Sequence, residues 1–505
     1  MKKLNKIYST KHVGAIDEYV TDYEKISSWH LMERAAEAWV SFFEERMEEE
    51  AKIAVVCGDG NNGGDGYAIA RLLLESGWEV EAFALPSERS RSGDCEKNRE
   101  LFRKAGGKIV EVKRPAKWIP EEGAVIVDAL FGAGLNRAVT GAAAEMIRRM
   151  NELPCRVYAV DMPSGLMGED NAGNDRTAIV RAYRTFTFQF PKISFLLPEN
   201  AEFVGEWEAV DIGVETDALE TPWYALTEEA VREALPRPGV FAHKGTNGRG
   251  LLVAGSRGMM GAAVLAAKGA LHSGVGVLHC HVPGCGGDVM QVAVPEAVLD
   301  LDGGEACVSG VEGLERYDAV AVGPGIGRGE ETAVALKRLL TEWKGRLILD
   351  ADALNILAEH PEWIVHLHEG CLLTPHVKEF ERLAGKCAND FDRLNKLLTF
   401  AAQYRVHVVL KGAYSAVATP DGRLYFNMSG NPGMAKGGSG DVLTGVLLAL
   451  AANGLEMEDV ACIGVFAHGM AGDLLREEHG MRGMTAGLLA EGMGRVWSKL
   501  EGNEI

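Results

Sequence analysis

The 505-residue sequence predicts an α/β protein with two three-layer domains, each a parallel sheet with helices on both faces. The length gives room for about two to four domains with cores of their own. Short β-branched segments alternate with helical segments along both halves, which is typical of parallel sheets covered by helices. A segment with several prolines, residues 215–247, interrupts this alternation, and the pattern then begins afresh. We therefore predict one domain over residues 1–220 and another over residues 221–505.

The first half begins with an amphipathic helical region over residues 15–47. Short buried strands are predicted after it because the segments are apolar and rich in β-branched residues. These strands cover residues 51–57, 79–85, 124–130 and 156–160. A helix over residues 67–76 separates the first two, as a parallel connection requires.

The second half shows a new series of strands of the same kind. They are predicted at residues 251–254, 276–282, 319–322, 347–349, 371–373 and 406–410. A long glycine-rich loop follows and leads into a strongly apolar helix over residues 441–452. This half is therefore also predicted to be α/β.

The composition limits the function classes. Hydrophobic residues make up 47% and charged residues 25%, the balance of a globular protein, and the formal net charge is −20. A strongly acidic chain is a poor partner for a nucleic-acid backbone. Residues 1–10 lack the apolar run of a signal peptide, and residues 442–452 form too short an apolar run to span a membrane. Nine cysteines without paired spacing favour reduced thiols, so we expect a cytoplasmic protein with neither membrane nor nucleic-acid partners.

His279, Cys280, His281 and Cys285 raise the question of a metal site. They lie in or just after one predicted strand, whose alternate side chains face opposite sides of the sheet. No second ligand pair lies nearby in the sequence. We interpret this segment as a strand.

The segment Gly58–Gly66 lies between a predicted strand and a predicted helix. Its glycines allow backbone N–H groups to approach an anion at a helix N-terminus. Gly58, Gly60 and Gly63 satisfy G-x-G-x-x-G, but the next strand ends without the acidic residue that a Rossmann dehydrogenase needs. A loop whose glycines only make a turn remains the alternative.

Polar side chains stand at the ends of the later strands of this half. The carboxyl ends of parallel strands meet at one edge, so Asn61, Asp128, Asp161 and Ser164 are expected to share a crevice. Their oxygens are the ligands that a hard cation prefers. The loop over residues 132–139 provides a second place for an anion. A helix cap is the alternative role for any single Asp.

The most specific motif of the second half is Asn431–Gly445, NPGMAKGGSGDVLTG. Gly437, Gly438 and Gly440 precede a helix and form an anion hole for a transferring phosphoryl group. Asp441 stands at the helix start, where it is able to accept a proton from an attacking hydroxyl. The alternative is that Asp441 only caps the helix. No P-loop motif is present.

The first half resembles the NAD(P)H-hydrate epimerase family through AVVCGDGNNGGDGYAIARLL, VDALFGAGLNRAVTG, AVDMPSGL and FTFQFPK. The resemblance implies a Rossmann-like parallel sheet and a K⁺ site at Asn61, Asp128 and Ser164. It places Asp161 at the reacting ring, with Lys192 assisting, and both are candidate catalytic residues. The implied substrate-binding residues are Asn61, Asn62, Gly63, Gly64, Asp65, Gly132, Ala133, Gly134, Leu135, Asn136, Arg137, Ala138 and Asp161.

The second half resembles the ADP-dependent NAD(P)H-hydrate dehydratases, which have a ribokinase-like fold, through AVGPGIG, LDADALN, LLTPHVKEFERL, VVLKGAYS and GMAKGGSGDVLTG. The resemblance implies that Gly325, His376 and Asp441 contact the substrate and that Asp441 is catalytic. Ser439 stands where the family often has Thr. The implied ADP-binding residues are Lys411, Gly412, Ala413, Tyr414, Ser415, Gly430, Asn431, Lys436, Gly437, Gly438, Ser439 and Gly440.

Together the two resemblances imply a bifunctional repair enzyme, an isomerase joined to a lyase. It would interconvert the R and S forms of hydrated NADH and NADPH and dehydrate the S form with ADP, releasing AMP and phosphate. Mg²⁺ is expected with the nucleotide, with Glu379 a candidate ligand. We also expect a homo-oligomer. Two alternatives remain: the second half is an ATP-dependent small-molecule kinase, or the first half is a non-catalytic binding module.

Overall fold

The structure is a computed structural model that describes residues 5–47, 51–86, 90–214, 219–237 and 239–502. These residues form two compact units. The first contains Lys6–Thr221, together with the short segment Ala388–Asp392, and the second contains Asn5 and the described residues from Pro222 onward apart from that segment.

The elements up to Thr221 alternate between strands and helices. In chain order they are β1 (Asn5–Ile7), α1 (Thr10–Glu24), α2 (Ser28–Glu44), β2 (Ile53–Cys57), α3 (Asn61–Glu75), β3 (Val80–Ala84), α4 (Gly93–Lys104), β4 (Lys108–Glu111), β5 (Val125–Ala129), α5 (Gly141–Glu152), β6 (Val157–Val160), β7 (Arg184–Phe188), α6 (Ala201–Val204) and β8 (Glu206–Val210).

The first unit is built on a seven-stranded sheet in the order β4-β3-β2-β5-β6-β7-β8. All of its neighbouring strands are parallel. The strand order reverses between β2 and β5, and a crevice for a ligand forms at the carboxyl ends of strands at such a point. Alternate residues of β2 enter two cores: Val55 packs with Trp39 and Phe43 of α2, whereas Val56 packs with Ile147 of α5.

The second unit has a longer series of the same kind. Its elements are β9 (Trp223–Ala225), α7 (Glu228–Ala234), β10 (Arg249–Val253), α8 (Met260–Leu271), β11 (Val277–Val282), α9 (Gly287–Ala293), β12 (Val298–Leu301), β13 (Ala319–Val322), α10 (Glu330–Glu342), β14 (Arg346–Leu349), α11 (Ala351–Glu359), β15 (Cys371–Leu373), α12 (Val377–Ala384), α13 (Asp390–Tyr404), β16 (His407–Leu410), β17 (Ala416–Ala418), β18 (Leu424–Phe426), α14 (Ser439–Ala452), α15 (Met457–Gly483) and α16 (Ala486–Leu500).

From β9 the strands of this unit follow the order β9-β18-β17-β16-β15-β14-β13-β10-β11-β12. They are parallel except at β17, which is antiparallel to both of its neighbours. One face packs Leu252 and Ile348 against α8 and α14, and on the other face Val322 lies against Leu336 and Leu339 of α10. The prediction of α/β units with helices on both faces of parallel sheets is confirmed.

Helix α14 explains the apolar run near the C-terminus. It lies against α8 so closely that a Cβ at Gly445 would overlap the carbonyl oxygen of Ala266, and one at Gly269 would overlap that of Val442. Its residues from Val442 to Ala452 are buried in the core. No helix in the described part of the chain is long and apolar enough to cross a membrane.

Three helix predictions are wrong in their bounds. The region over residues 15–47 is two helices, because Lys25 adopts a left-handed conformation with φ 55° and ends the first. The helix after β2 begins at Asn61, so residues 61–65 form its first turn and are not a loop. The helix of the NPGMAKGGSGD motif begins at Ser439, two residues before the predicted start. The strand interpretation of the histidine–cysteine segment is confirmed by β11.

Candidate active sites

The glycines after β2 are required by close packing at the sheet edge. A Cβ at Gly58 would overlap the carbonyl oxygen of Leu130, and one at Gly63 would overlap that of Gly58 itself. Gly60 is the N-cap of α3 and supplies no side-chain hydrogen bond to the helix. The first N–H groups of α3 are therefore available to an anionic ligand.

Asp128 and Ser164 form a fully buried pair at the strand-order reversal. The Ser164 hydroxyl donates to Asp128 Oδ1 at 2.6 Å, and the Ser164 backbone N–H donates to Oδ2 at 2.7 Å. Burial raises the pKa of Asp128 to about 6, although the hydrogen bonds from Ser164 and Leu130 oppose this. Asn61, the third predicted K⁺ ligand, is exposed at the start of α3.

A second buried pair, Lys192 with Asp161, lies next to the pair of Asp128 and Ser164. Lys192 is 2% exposed, and its ammonium donates to Asp161 Oδ1 at 2.9 Å and to the Thr187 hydroxyl at 2.9 Å. Asp161 itself has a φ of 63°, which is uncommon for a residue with a side chain and occurs most often at functional sites. The structure thus brings together the two predicted catalytic residues of the first unit.

The two predicted substrate segments meet at Asn62 and Gly132. A Cβ at Gly132 would lie 2.9 Å from Asn62 Oδ1. The Asn62 amide nitrogen is buried and has no hydrogen-bond acceptor within the described residues. An unpaired buried donor of this kind fits a ligand oxygen. Ala133 and Leu135, in contrast, pack into the hydrophobic cores, which leaves only their backbone groups for a ligand.

Two further carboxyl groups belong to this crevice, one of them not predicted. Asp17 is on α1, one turn after Val13, which contacts the core cluster of Ala133. Desolvation and then the charge of Asp161 raise the pKa of Asp17 to about 6, while Lys192 opposes the shift. Burial, followed by the charges of Asp161, Asp17 and Asp94, raises the pKa of Asp65 well above its usual range.

In the second unit, four adjacent strands place functional residues at one edge of the sheet. The loop of Gly325 follows β13, Asp350 follows β14, His376 stands just beyond β15, and Lys411 follows β16. Gly325 has a φ of 63°, and its carbonyl accepts a hydrogen bond from the Ser256 hydroxyl at 2.7 Å. These are the carboxyl ends of parallel strands, where ligands bind in open α/β sheets.

His376 is the N-cap of α12. Its Nδ1 accepts hydrogen bonds from the backbone N–H groups of Lys378 and Glu379 at 3.1 and 3.2 Å. Nε2 therefore carries the ring proton and lies 3.4 Å from Glu379 Oε1, while the side chain remains 49% exposed, so a substrate is also able to reach it. The Glu379 carboxylate accepts from the His376 N–H at 2.8 Å and is buried, which does not suit the predicted Mg²⁺ ligand.

Asp441 lies in the first turn of α14 without capping it. The N-cap is Gly438, with φ 94° and no side-chain hydrogen bond to the helix. No described residue provides a hydrogen-bond partner for the Asp441 carboxylate. Burial, and then the charge of Asp350, raises the pKa of Asp441 to about 6, with Lys411 opposing and Asp352 adding to the shift. The capping interpretation is therefore wrong.

Several predicted ADP-binding side chains are held by the protein itself. The Lys436 ammonium donates to the carbonyl oxygens of Met481, Arg482 and Met484. Among the others, the Asn431 amide donates to Asp473 at 3.0 Å, the Gly430 N–H donates to the same carboxylate at 2.7 Å, and the Ser439 hydroxyl donates to the Met434 carbonyl at 2.9 Å. The Ser415 hydroxyl closes a turn with Gly412. In this segment, a Cβ at Gly437 would meet open space, whereas one at Gly438 would lie 2.5 Å from the Leu265 side chain and 2.9 Å from Ala486.

Both units thus place an uncapped helix N-terminus and a desolvated carboxylate at the carboxyl edge of a parallel sheet. This arrangement defines a nucleotide-handling α/β enzyme with two chemically separate sites.

Comparison with known proteins identifies the family. A sequence profile described as NAD(P)H-hydrate dehydratase matches residues 250–495, and one described as YjeF-related protein N-terminus matches residues 28–194. The bifunctional NAD(P)H-hydrate repair enzyme Nnr of Moorella thermoacetica is 35% identical, over 98% of this chain and 97% of its own. The Escherichia coli enzyme of the same name is 34% identical, over 91% and 88%.

The chain belongs to the family of bifunctional NAD(P)H-hydrate repair enzymes. The prediction of an isomerase half and a lyase half is confirmed at the level of the family, and so is the fold class. Among solved structures, the ADP/ATP-dependent NAD(P)H-hydrate dehydratase of Bacillus subtilis, crystallised with ATP and Mg²⁺, is 34% identical, with a TM-score of 0.48, over 55% of this chain and 98% of its own.

Proposed function

We propose that the second unit dehydrates the S epimer of hydrated NADH and NADPH with ADP. The observation that supports this most is the Asp441 carboxylate, desolvated and unpartnered among the described residues, in the first turn of an uncapped helix. A general base needs a pKa near the working pH, and an open helix N-terminus stabilises a phosphoryl group.

The chemistry follows from these positions. Asp441 accepts the proton of the hydroxyl on carbon 6 as that oxygen attacks the β-phosphorus of ADP and the bond to AMP breaks. The N–H groups at Gly438 and Gly440 and the Lys411 ammonium stabilise the charge on the transferring group. The ring nitrogen then expels phosphate from carbon 6, and loss of a proton from carbon 5 restores the double bond. The products are NAD(P)H, AMP and phosphate.

Mg²⁺ would neutralise phosphoryl oxygens when bound with the nucleotide. The Glu379 carboxylate does not fit this role, because it is buried in the capping box of α12. Mg²⁺ is commonly held by substrate phosphates and water with one or two carboxylates, so a dedicated protein cage is not required. The Bacillus subtilis relative, described as ADP/ATP-dependent, was crystallised with ATP and Mg²⁺. Because the second half resembles the ADP-dependent dehydratases, we propose that this chain uses ADP.

We further propose that the first unit interconverts the R and S epimers. Opening and reclosing the bond between carbon 6 and the ring nitrogen needs one group that takes the hydroxyl proton and one that returns a proton to nitrogen. The buried pair of Asp161 and Lys192 supplies a carboxylate and an ammonium 2.9 Å apart. The substrate phosphates would lie at the N-terminus of α3 and along residues 132–138.

K⁺ fits the pair of Asp128 and Ser164, with Asn61 at the rim. Asp128 is fully buried, and its hydrogen bonds come from Ser164 and the Leu130 N–H, all of them neutral donors. A buried carboxylate surrounded only by neutral donors is costly, and a bound cation would compensate it. When bound, K⁺ would supply positive charge next to the anionic substrate.

The test incubates the purified chain with separated R and S hydrates and with ADP, ATP or no nucleotide. Recovery of the near-ultraviolet absorbance of reduced nicotinamide is followed. We expect recovery from both epimers with ADP and none without nucleotide. A phosphorylated hydrate that survives turnover would favour the kinase alternative. Consumption of the S form alone, with the R form left unconverted, would contradict the proposed epimerase activity of the first unit.

A further inference from the structure

Asp350 is a buried carboxylate beneath the dehydratase site that the proposed chemistry does not yet use. It is 1% exposed. Its Oδ1 accepts a hydrogen bond from the Lys411 ammonium at 2.7 Å, and its Oδ2 accepts one from the Thr444 hydroxyl at 2.7 Å. One carboxylate therefore connects the end of β16 with the first two turns of α14.

The backbone around Asp350 is fixed and strained. The Asp350 N–H donates to the Val322 carbonyl at 3.1 Å, and a Cβ at Gly323 would overlap the Asp350 carbonyl oxygen. Ala351 has a φ of 48°, a left-handed conformation that a residue with a side chain rarely adopts. Such strain persists only where the surrounding structure holds it, and it concentrates at functional sites.

The Lys411 ammonium lies at the entrance of the anion hole. A Cβ at Gly440 would lie 3.4 Å from Lys411 Nζ and 3.9 Å from Asp350 Oδ2. The Lys411 side chain is 21% exposed and that of Asp350 is 2% exposed, so the cation faces the site and the anion lies behind it. A long lysine side chain held in one rotamer is prepared for a phosphoryl oxygen without loss of further entropy on binding.

Asp350 also acts on the base. The charged groups that affect Asp441 are Asp350, Asp352 and Lys411, and the first two raise its pKa while the third lowers it. Asp352 is occupied elsewhere, since its Oδ2 accepts the Gly327 N–H at 2.9 Å. Asp350 is the largest electrostatic contributor of the three.

We propose that Asp350 is the positioning residue of the phosphoryl-transfer step: it holds the Lys411 ammonium and the first turns of α14 in place, and its charge acts on Asp441. This proposal rests on the proposed role of Asp441 as the base. Asp350 itself contacts neither the substrate nor the transferring group.

The negative charge of Asp350 determines the direction in which it shifts the pH dependence of the dehydration rate. Asp441 must be ionised to accept a proton, so the dehydration rate rises with pH through the pKa of that group. Asp350→Asn removes a negative neighbour and leaves Lys411, so the pKa of Asp441 falls. The acidic limb of kcat/KM should then move to lower pH by about one unit, a typical effect of a nearby charge. We expect kcat to fall by roughly tenfold to a hundredfold, because Lys411 loses its fixed position.

The test compares pH–rate profiles of S-hydrate dehydration by the full-length chain and three variants. Asp350→Asn should lower kcat and shift the limb. Thr444→Val, which removes a hydrogen bond but no charge, should lower kcat at least about threefold without moving the limb. Asp318→Asn is the matched control: this exposed carboxylate, just before β13, accepts the Arg249 N–H at 2.7 Å at the opposite edge of the same sheet. It should change neither quantity.

An Asp350→Asn chain that has the wild-type kcat, and whose kcat/KM profile has its acidic limb at the wild-type pH, would overturn the proposal. If that variant does not fold, Asp350→Glu and Thr444→Val decide the question: both should keep the wild-type limb with reduced kcat, and wild-type kcat in both would overturn the proposal. Asp441→Asn separates the proposal from the proposed function. Full turnover in that variant would remove the base role, whereas collapsed turnover there with a normal Asp350→Asn chain removes only the role of Asp350.

Discussion

Replacing Lys192 by methionine tests the buried pair of the first unit. The side chains of Lys192 and Asp161 are 3% and 12% exposed, and methionine has a similar length but no charge. The substitution leaves a buried carboxylate without its cation, which costs about 3–5 kcal/mol when one partner of such a pair is removed. In a unit of this size that corresponds to a fall in Tm of roughly 6–20 °C.

The matched control is the double variant with Asp161→Asn. A neutral amide still accepts from Thr187 and needs no cation, so replacing both charges is often close to neutral for stability. We therefore expect the double variant to be more stable than Lys192→Met alone, with a coupling energy of about 2 kcal/mol or more. Both variants should lack epimerase activity and keep dehydration of the S hydrate.

The assay is differential scanning calorimetry of the full-length chain with and without ADP. A ligand raises the Tm of the unit that binds it, so ADP identifies the transition of the second unit, which serves as an internal reference. A destabilisation of the first unit by less than about 1 kcal/mol would show that the Lys192 ammonium is solvated, as most surface ion pairs are. Strict additivity of the two substitutions would equally refute the buried pair.

Two further predictions concern the division of labour between the units and the cation. The fragment 221–505, which keeps β9, should dehydrate the S hydrate with ADP and use the R hydrate only as fast as it converts spontaneously. Equal use of both epimers at the full-length rate would place the epimerase elsewhere. Asp128→Ala should abolish the K⁺ dependence and most of the activity of epimerisation, while dehydration of pre-formed S hydrate continues. Epimerisation that is unchanged by the substitution, with K⁺ and without it, would remove the ligand role of Asp128.

The sheet architecture could be predicted because it depends on local pattern. Buried parallel strands are continuous apolar runs, and the turns after them must carry glycine and polar residues. The positions of Asp128, Asp161 and Asp441 followed from this rule, since Asp128 lies near the carboxyl end of β5, Asp161 directly follows β6, and Asp441 lies in the first turn of α14. The strands that were not predicted lie toward the edges of the sheets, where strands are short or partly exposed and the apolar pattern is weak. They are β1, β4, β7, β8, β9, β12, β17 and β18.

The remaining site residues depend on tertiary packing that sequence patterns do not show. From the sequence alone, Lys192 is expected to be a solvated surface lysine, but in the folded first unit it is buried. Asp17 is one of several charged residues on an amphipathic helix, and the sequence does not show that Val13 of the same helix packs against the core cluster of Ala133. Asp350 lies within a recognised motif, but its partners Lys411 and Thr444 are 61 and 94 residues away in the sequence.

The role of Asp441 as the base of an ADP-dependent dehydration is best tested by Asp441→Asn. Asparagine keeps the shape of the side chain and loses its basicity, so the fold and ADP binding should survive. We predict unchanged ADP affinity by calorimetry and a rate of nicotinamide recovery from S hydrate lowered by about a hundredfold to ten-thousandfold, the usual effect of losing a positioned base. Recovery within about threefold of the wild-type rate, under saturating ADP, would show that Asp441 is not the base.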